Sequence, residues 1–281
     1  MKYLDIHQHY GVVDWSGKVE IPKGYTPNEF FEEKIIEICK KLDMVVAVNG
    51  YGVSNNNYIQ KKTICVDVNN EVEMFFKKYP EYIIGMGYVD LDYHTPLIID
   101  DLFKRGFKGI KLIIPGRRWD YKGYYEFYKR CEYFEMPVLF HTGINGLKSY
   151  FKEFSNSYNT LPIFLEDIAV RFPKLNLIGA HLGFGYYEVA CCLVDSFKNH
   201  SKNVYFDITG EMLTLRKITE GKWIKKEVPV TALLWGLDME YFNYENYINI
   251  WEKHFKEINL SEEEKDQIFY KNACKLLKIN Y

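Results

Sequence analysis

The stretch Tyr3-Leu4-Asp5-Ile6-His7-Gln8-His9 reads as a short strand over residues 3–8 that runs out on two histidines two positions apart. Side chains at i and i+2 of a strand share a face. His7 and His9 are therefore expected to point the same way, with Asp5 on that face one layer deeper, placed to orient a ligand from behind. By itself an H-x-H pair fits two ordinary histidines as well as two ligands of one cation.

Seven further strand candidates follow at 44–49, 82–89, 108–114, 137–142, 175–181, 203–209 and 232–237, each rich in Val, Ile, Leu or Phe. Such composition suits strands covered on both faces. Helical patterns lie between them at 27–42, 69–79, 121–135, 161–172 and 186–199, the first carrying Phe30, Phe31, Ile35, Ile38 and Leu42 at helical spacing. Two more, at 244–257 and 261–278, follow the last strand, and Ser261 with Glu264 forms a capping box for the final one. Repeated strand–helix alternation predicts an α/β protein, a (β/α)8 TIM barrel. The length of 281 residues suits one such domain, since these barrels need about 250. Residues 1–281 are expected to form that domain, with the C-terminal helices 244–281 packed on the barrel.

Two segments exceed a minimal barrel. Residues 50–66 hold the polar run Ser54-Asn55-Asn56-Asn57 and then a strand-like piece, Thr63-Ile64-Cys65-Val66, and residues 210–230 carry Trp223 among lysines. Both follow C-terminal strand ends, where barrel enzymes carry their substrate loops.

Composition narrows the function classes. The net charge of −2 and the scattered Lys and Arg leave no electrostatic footprint for nucleic acid. No apolar run approaches the roughly 20 residues that span a bilayer, and the N-terminus opens directly on a strand without a signal-peptide pattern. The six cysteines form no C-x-x-C pair and fall mostly in apolar stretches, as free thiols in a reducing compartment do. A soluble, cytoplasmic protein is expected.

Four of the seven histidines, His7, His9, His141 and His181, stand at or just past the C-terminal end of a candidate strand. In a barrel those ends converge on one cavity. His141 closes Val138-Leu139-Phe140, His181 closes Ile178-Gly179-Ala180, and Asp238 follows Trp235-Gly236-Leu237. A polar or charged group ending an apolar strand needs a partner, and either a cation or a backbone group could serve each one. Taken together, the five point to a shared cation.

These residues also carry a family resemblance. Leu4-Asp5-Ile6-His7-Gln8-His9 resembles the opening motif of the amidohydrolase superfamily, and the chain resembles its amidohydrolase-2 branch, which includes aminocarboxymuconate-semialdehyde decarboxylase. The likeness continues through Asn69-Asn70 to Tyr79-Pro80, Ile84-Gly85-Met86-Gly87 and Gly106-Phe107-Lys108-Gly109-Ile110-Lys111-Leu112. It takes in the His141 and His181 strands and Trp235-Gly236-Leu237-Asp238, and closes on Lys271-Asn272-Ala273-Cys274-Lys275-Leu276-Leu277. After Asp238 the chain departs from the family's small residue and Pro with Met239-Glu240-Tyr241. The resemblance implies metal ligation by His7, His9, His141 and Asp238, catalysis by His181 and Asp238, and often a homodimer.

Three His and one Asp suit one divalent ion, Zn2+ first, with Mn2+ or Fe2+ as alternatives. The expected reaction is hydrolysis of an amide, lactone or ester-like bond in a small, carboxylated molecule. Asp238 would take the proton of the attacking water, and His181 would polarise the substrate carbonyl or stabilise its oxyanion. A metal-dependent decarboxylase is the alternative within the family. An H-x-H phosphoesterase and a non-catalytic binding barrel are the rivals outside it. Lys111, Arg117 and Arg118 are candidates for binding a substrate carboxylate. Some amidohydrolases carry a carboxylated lysine on the fourth strand, but a plain Lys111 is expected here. Asp207 is expected to be a hydrogen-bonded structural carboxylate.

Overall fold

The computed structural model describes residues 1–11, 19–50, 64–113, 115–144, 156–209, 212–238 and 241–280. Its eight strands are β1 (Tyr3–His9), β2 (Met44–Asn49), β3 (Ile83–Tyr88), β4 (Gly109–Leu112), β5 (Val138–Phe140), β6 (Leu177–Gly179), β7 (Val204–Asp207) and β8 (Leu233–Leu234). All neighbours pair in parallel and in chain order. Two backbone hydrogen bonds join the ends of the sheet: Ile6 N–H donates to Trp235 O at 3.1 Å, and Asp238 N–H to His7 O at 2.9 Å. This is the TIM-like barrel that the sequence predicts. Its seam runs through two of the five residues singled out as polar strand ends.

Helices alternate with the strands: α1 (Pro27–Leu42), α2 (Ile64–Lys78), α3 (Ile98–Arg105), α4 (Tyr125–Tyr133), α5 (Leu165–Arg171), α6 (Tyr187–Phe197), α7 (Met212–Gly221) and α8 (Tyr244–Glu257). Helix α1 starts on a Thr26–Glu29 capping box, which satisfies two otherwise orphaned N–H groups. The Ser261–Glu264 box caps α9 (Glu262–Asp266) as expected, but a π-turn over Gln267–Lys271 separates it from α10 (Asn272–Leu277). Ala273, Cys274, Leu276 and Leu277 of α10 join Leu4, Ile6, Ala47, Leu139, Ile178 and Leu234 in one buried cluster, with Met1 and Val45 against it. This apolar plug fills the barrel beneath the histidines and keeps the polar groups at its other end.

Several expectations need correction. The piece at Thr63–Val66 is not a strand, because α2 already begins at Ile64; Thr63 itself, the polar run 54–57 and Met239-Glu240 lie outside the described residues. Within segment 210–230, Met212–Gly221 form the ordinary seventh helix, α7, and Trp223 packs edge-on against Tyr187 at 5.4 Å. Helix α3 was not anticipated. It is two turns long, buries Ile99 and Leu102, and stops at Gly106, whose φ of 100° ends the helix in the left-handed region.

The largest correction concerns β1. Its register against β2 slips between Asp5 and Gln8, a bulge that spends one extra residue. Asp5 Oδ2 accepts from Tyr244 Oη at 2.6 Å, and Gln8 Nε2 donates to the same oxygen at 3.1 Å. Asp5 therefore shares a face with Gln8, toward α8, rather than with His7 and His9. It reaches His7 only through the backbone, accepting His7 N–H at 2.7 Å. Burial raises its carboxyl to about 7 against the pull of the Tyr244 bond.

Gly236 sets how closely the seam can shut. A Cβ there would lie 2.5 Å from Thr209 Cγ2, 2.7 Å from Asp5 Oδ1 and 3.2 Å from His7 Cβ. Gly236→Ala is expected to cost about 1–3 kcal/mol through overpacking, read as a lower urea midpoint. An unchanged midpoint would show that the seam has slack.

Candidate metal centre

The strand ends deliver their side chains to one place. A ring nitrogen of His7, a ring nitrogen of His181 and an oxygen of Asp238 all lie within 4.8 Å of one another. Asp238 is the hub: Oδ1 is 2.8 Å from His9 Nε2 and 3.6 Å from His7 Nε2, and Oδ2 is 3.4 Å from His181 Nε2. The His141 ring stands edge-on to His181, centroids 5.3 Å apart. All five polar strand ends thus meet at the C-terminal mouth of the barrel.

Two of them hold strained backbones. His181 has φ 58° and ψ 27°, Leu182 has φ 45°, and Gly183 follows at φ 69°. Asp238 has φ 51°. Non-glycine residues rarely adopt this region, and where they do the surroundings must hold them there. At His181 the restraint is a 2.7 Å bond from its N–H to Asp207 Oδ1, and at Asp238 it is the seam bond to His7 O.

Asp207, fully buried at the end of β7, is the group behind the histidines. Its Oδ2 accepts from His7 Nδ1 at 2.9 Å, and its Oδ1 accepts from Thr209 N and Thr209 Oγ1 at 3.2 and 2.5 Å. Burial alone would raise this carboxyl, but the His7 imidazole and the surrounding donors bring it down to about 2. An ionised carboxylate only accepts, so the His7 proton sits on Nδ1 and its Nε2 lone pair faces Asp238. The sequence reading weighed Asp207 as a structural carboxylate. Its position behind the ring is the role assigned there to Asp5.

The donor set fits a cation. Burial drives His7 down to about 4 and His141 well below the ordinary imidazole value, while burial lowers His9 as well. Neutral imidazole is the ligating form. Asp238 stays ionised: burial opposes it, but His7 and His9 hold it well below the usual carboxylate range. His141 Nε2 is buried without a hydrogen-bond partner, and such an atom is costly unless something binds it.

Lys111 is the group the sequence placed elsewhere. Its side chain is 1% exposed and its Nζ lies 2.6 Å from His7 Nε2. Burial lowers its pKa to about 8 against the pull of Asp238 and Asp207. Two carboxylates against one ammonium leave the cluster net negative, which favours a further positive charge. A metal on His7 and the Lys111 ammonium would contend for the same lone pair.

Arg117 and Arg118 sit apart from that ammonium, exposed on the loop after β4. The Arg118 guanidinium is committed: Nε and Nη2 each donate to Asp120 at 3.0 Å, and it lies over the Phe164 ring at 4.7 Å. Arg117 and Arg118 share with Gly116, Tyr121, Asn156 and Asn159 the wall of a cleft of about 430 Å3. Asp92 anchors this loop through Gly116 N at 2.5 Å and Tyr124 Oη at 2.6 Å. Sequence reading missed Thr209, whose only signal was its place two residues past Asp207 at a strand end.

Comparison with known proteins agrees with this architecture. The amidohydrolase family model matches residues 102–279. A probable 2-pyrone-4,6-dicarboxylic acid hydrolase from Acinetobacter baumannii, solved with citric acid bound, superposes with a TM-score of 0.66 at 15% identity over 99% of this chain and 100% of its own. The 2,6-dihydroxybenzoate decarboxylase from Rhizobium gives 0.65 at 14% identity over 99% of each chain. A dihydroxybenzoic acid decarboxylase from Polaromonas, with bound manganese and the inhibitor 2-nitroresorcinol, gives 0.65 at 14% over 100% of this chain and 98% of its own. No curated protein matches the sequence. These likenesses are of fold; the family match covers well over half of the chain, including β4 to β8 and the closing helices, and the protein belongs to the amidohydrolase family, in its amidohydrolase-2 branch.

Proposed function

We propose that this protein is a metal-dependent hydrolase of a small carboxylated molecule, with His7, His9, His141 and Asp238 holding one divalent ion. The observation that carries the reading is the gathering of His7, His181 and Asp238, ligand atoms within 4.8 Å of one another, with His9 Nε2 2.8 Å from Asp238 and His141 Nε2 buried without a hydrogen-bond partner. Nitrogen-rich sites with one carboxylate suit Zn2+, and Mn2+, present in the Polaromonas relative, is the next candidate. Such an ion supplies Lewis acidity and lowers the pKa of water from 15.7 toward about 7.

The chain's own groups supply the proton path. Asp238, an anion at neutral pH, accepts the proton of the attacking water. Its Oδ2 lies 3.4 Å from His181 Nε2, so that proton can move on to His181 and from there to the leaving group. Lys111 supplies positive charge beside His7, and Arg117, on the loop after β4, is the candidate guanidinium for a substrate carboxylate. Arg118, already held by Asp120, would act mainly by shaping that loop.

Decarboxylation is the second reading, favoured by the decarboxylases among the structural relatives. The same cation could anchor a carboxylated aromatic ring while a proton is delivered to ring carbon. Small lactones and carboxylated aromatics assayed with CO2 release as a second readout separate the two: acid product without CO2 is expected, and CO2 release would replace the hydrolase reading.

The purified protein is expected to bind about one divalent ion per chain, and His141→Ala to bind it at least tenfold more weakly by metal analysis. Equal occupancy would remove His141 from the ligand set. Retention should hold from pH 7 down to pH 6, because burial keeps His7 neutral to about 4 and Lys111, which charges as pH falls through about 8, is already an ammonium across that range; half-loss near pH 6.5 would contradict this. His181→Ala is expected to keep the ion and lose at least a hundredfold in kcat. Full turnover would end its catalytic role.

A further inference from the structure

We infer that Thr209 is a positioning residue that fixes the His181 imidazole with a proton on Nδ1 and its Nε2 turned toward Asp238. The inference rests on the proposed hydrolytic reading and refines the part His181 plays in it.

The argument is a count of protons. Thr209 is fully buried two residues past Asp207, and its hydroxyl touches Asp207 Oδ1 at 2.5 Å, His181 Nδ1 at 3.0 Å and, farther off, His7 Nδ1 at 3.3 Å, whose proton is already directed to Asp207 Oδ2. A hydroxyl has one proton and two lone pairs. Two oxygens reach 2.5 Å only with a proton between them, and an ionised carboxylate has none to give. The Thr209 proton therefore goes to Asp207, and Thr209 Oγ1 can offer His181 only a lone pair. The other group at His181 Nδ1 is the carbonyl oxygen of Thr209, 3.4 Å away, and it too can only accept. Both neighbours require a donor, so Nδ1 carries a hydrogen and Nε2 is the nitrogen that faces Asp238.

Asp207 imposes the same state on His7, whose Nδ1 donates to it directly. One buried carboxylate thus orients two imidazoles, one by direct contact and one through a hydroxyl. The consequence for catalysis is specific. In the neutral ring Nε2 then holds the lone pair and cannot donate a hydrogen bond to a substrate carbonyl. His181 accepts at Nε2 the proton that Asp238 takes from water. It then releases that proton to the departing oxygen or nitrogen as the substrate bond breaks, which returns both groups to their starting state.

The test compares wild type, Thr209→Val and Thr209→Ser, each with histidine labelled in 15N. Long-range 15N–1H correlation spectra of the metal-stripped protein report which ring nitrogen is protonated, and His181→Gln identifies the His181 signals. Wild type and Thr209→Ser are expected to show a single Nδ1–H form for His181, and Thr209→Val a mixture or the Nε2–H form. With metal restored, Thr209→Val should lose about 10–100-fold in kcat with KM little changed, and Thr209→Ser should recover most of it. A His181 Nδ1 without hydrogen in wild type, or an unaltered Nδ1–H form and full kcat in Thr209→Val, would overturn the inference. If Thr209→Val does not fold, the wild-type spectrum alone decides. An Nδ1–H signal in a protein that hydrolyses no carboxylated substrate would uphold the Thr209 assignment and remove the hydrolase reading.

Discussion

A single buried anion organises the mouth of this barrel. Asp207 gathers the His7 ring, the His181 backbone and both the amide and hydroxyl of Thr209. A carboxylate at that depth is tolerated only because each oxygen is met by donors. Those same donors become fixed in direction: the His7 lone pair faces Asp238, and the His181 backbone is held at a positive φ it would otherwise leave. Strain at His181 and Asp238, neutral buried imidazoles and a net negative cluster all follow from closing β7 and β8 against β1 at this point. The apolar plug contributed by α10 completes the contrast, since it keeps the barrel below dry.

Much of this was legible in the chain. Eight apolar runs marked eight strands, because strands covered on both faces cannot hide their composition. The predicted ends overran, most of all at 232–237, where only Leu233 and Leu234 are paired as strand. Residues past a barrel strand remain apolar while turning into the site, so composition cannot mark where pairing stops. Strand ends also gave the histidines and Asp238, since an imidazole or carboxylate closing an apolar run has few other reasons to be there.

What escaped the sequence depends on register and on distant partners. The β1 bulge carries no composition signal, and it moves Asp5 to the face of Tyr244 while leaving His7 and His9 at the mouth. Asp207 and Lys111 were visible as residues, but their contacts with His7 span 200 and 104 positions. Arg118 looked available until Asp120, two residues on, occupied its fork.

The account stands on the strand-end groups sharing a cation that displaces Lys111 from His7. Anomalous diffraction from crystals grown with Zn2+ or Mn2+ tests this most directly. One strong peak is expected at bonding distance, about 2.0–2.2 Å, from His7 Nε2 and Asp238, with Lys111 Nζ withdrawn from the 2.6 Å contact. A map without a peak there, and with Lys111 still seated on His7, would contradict it.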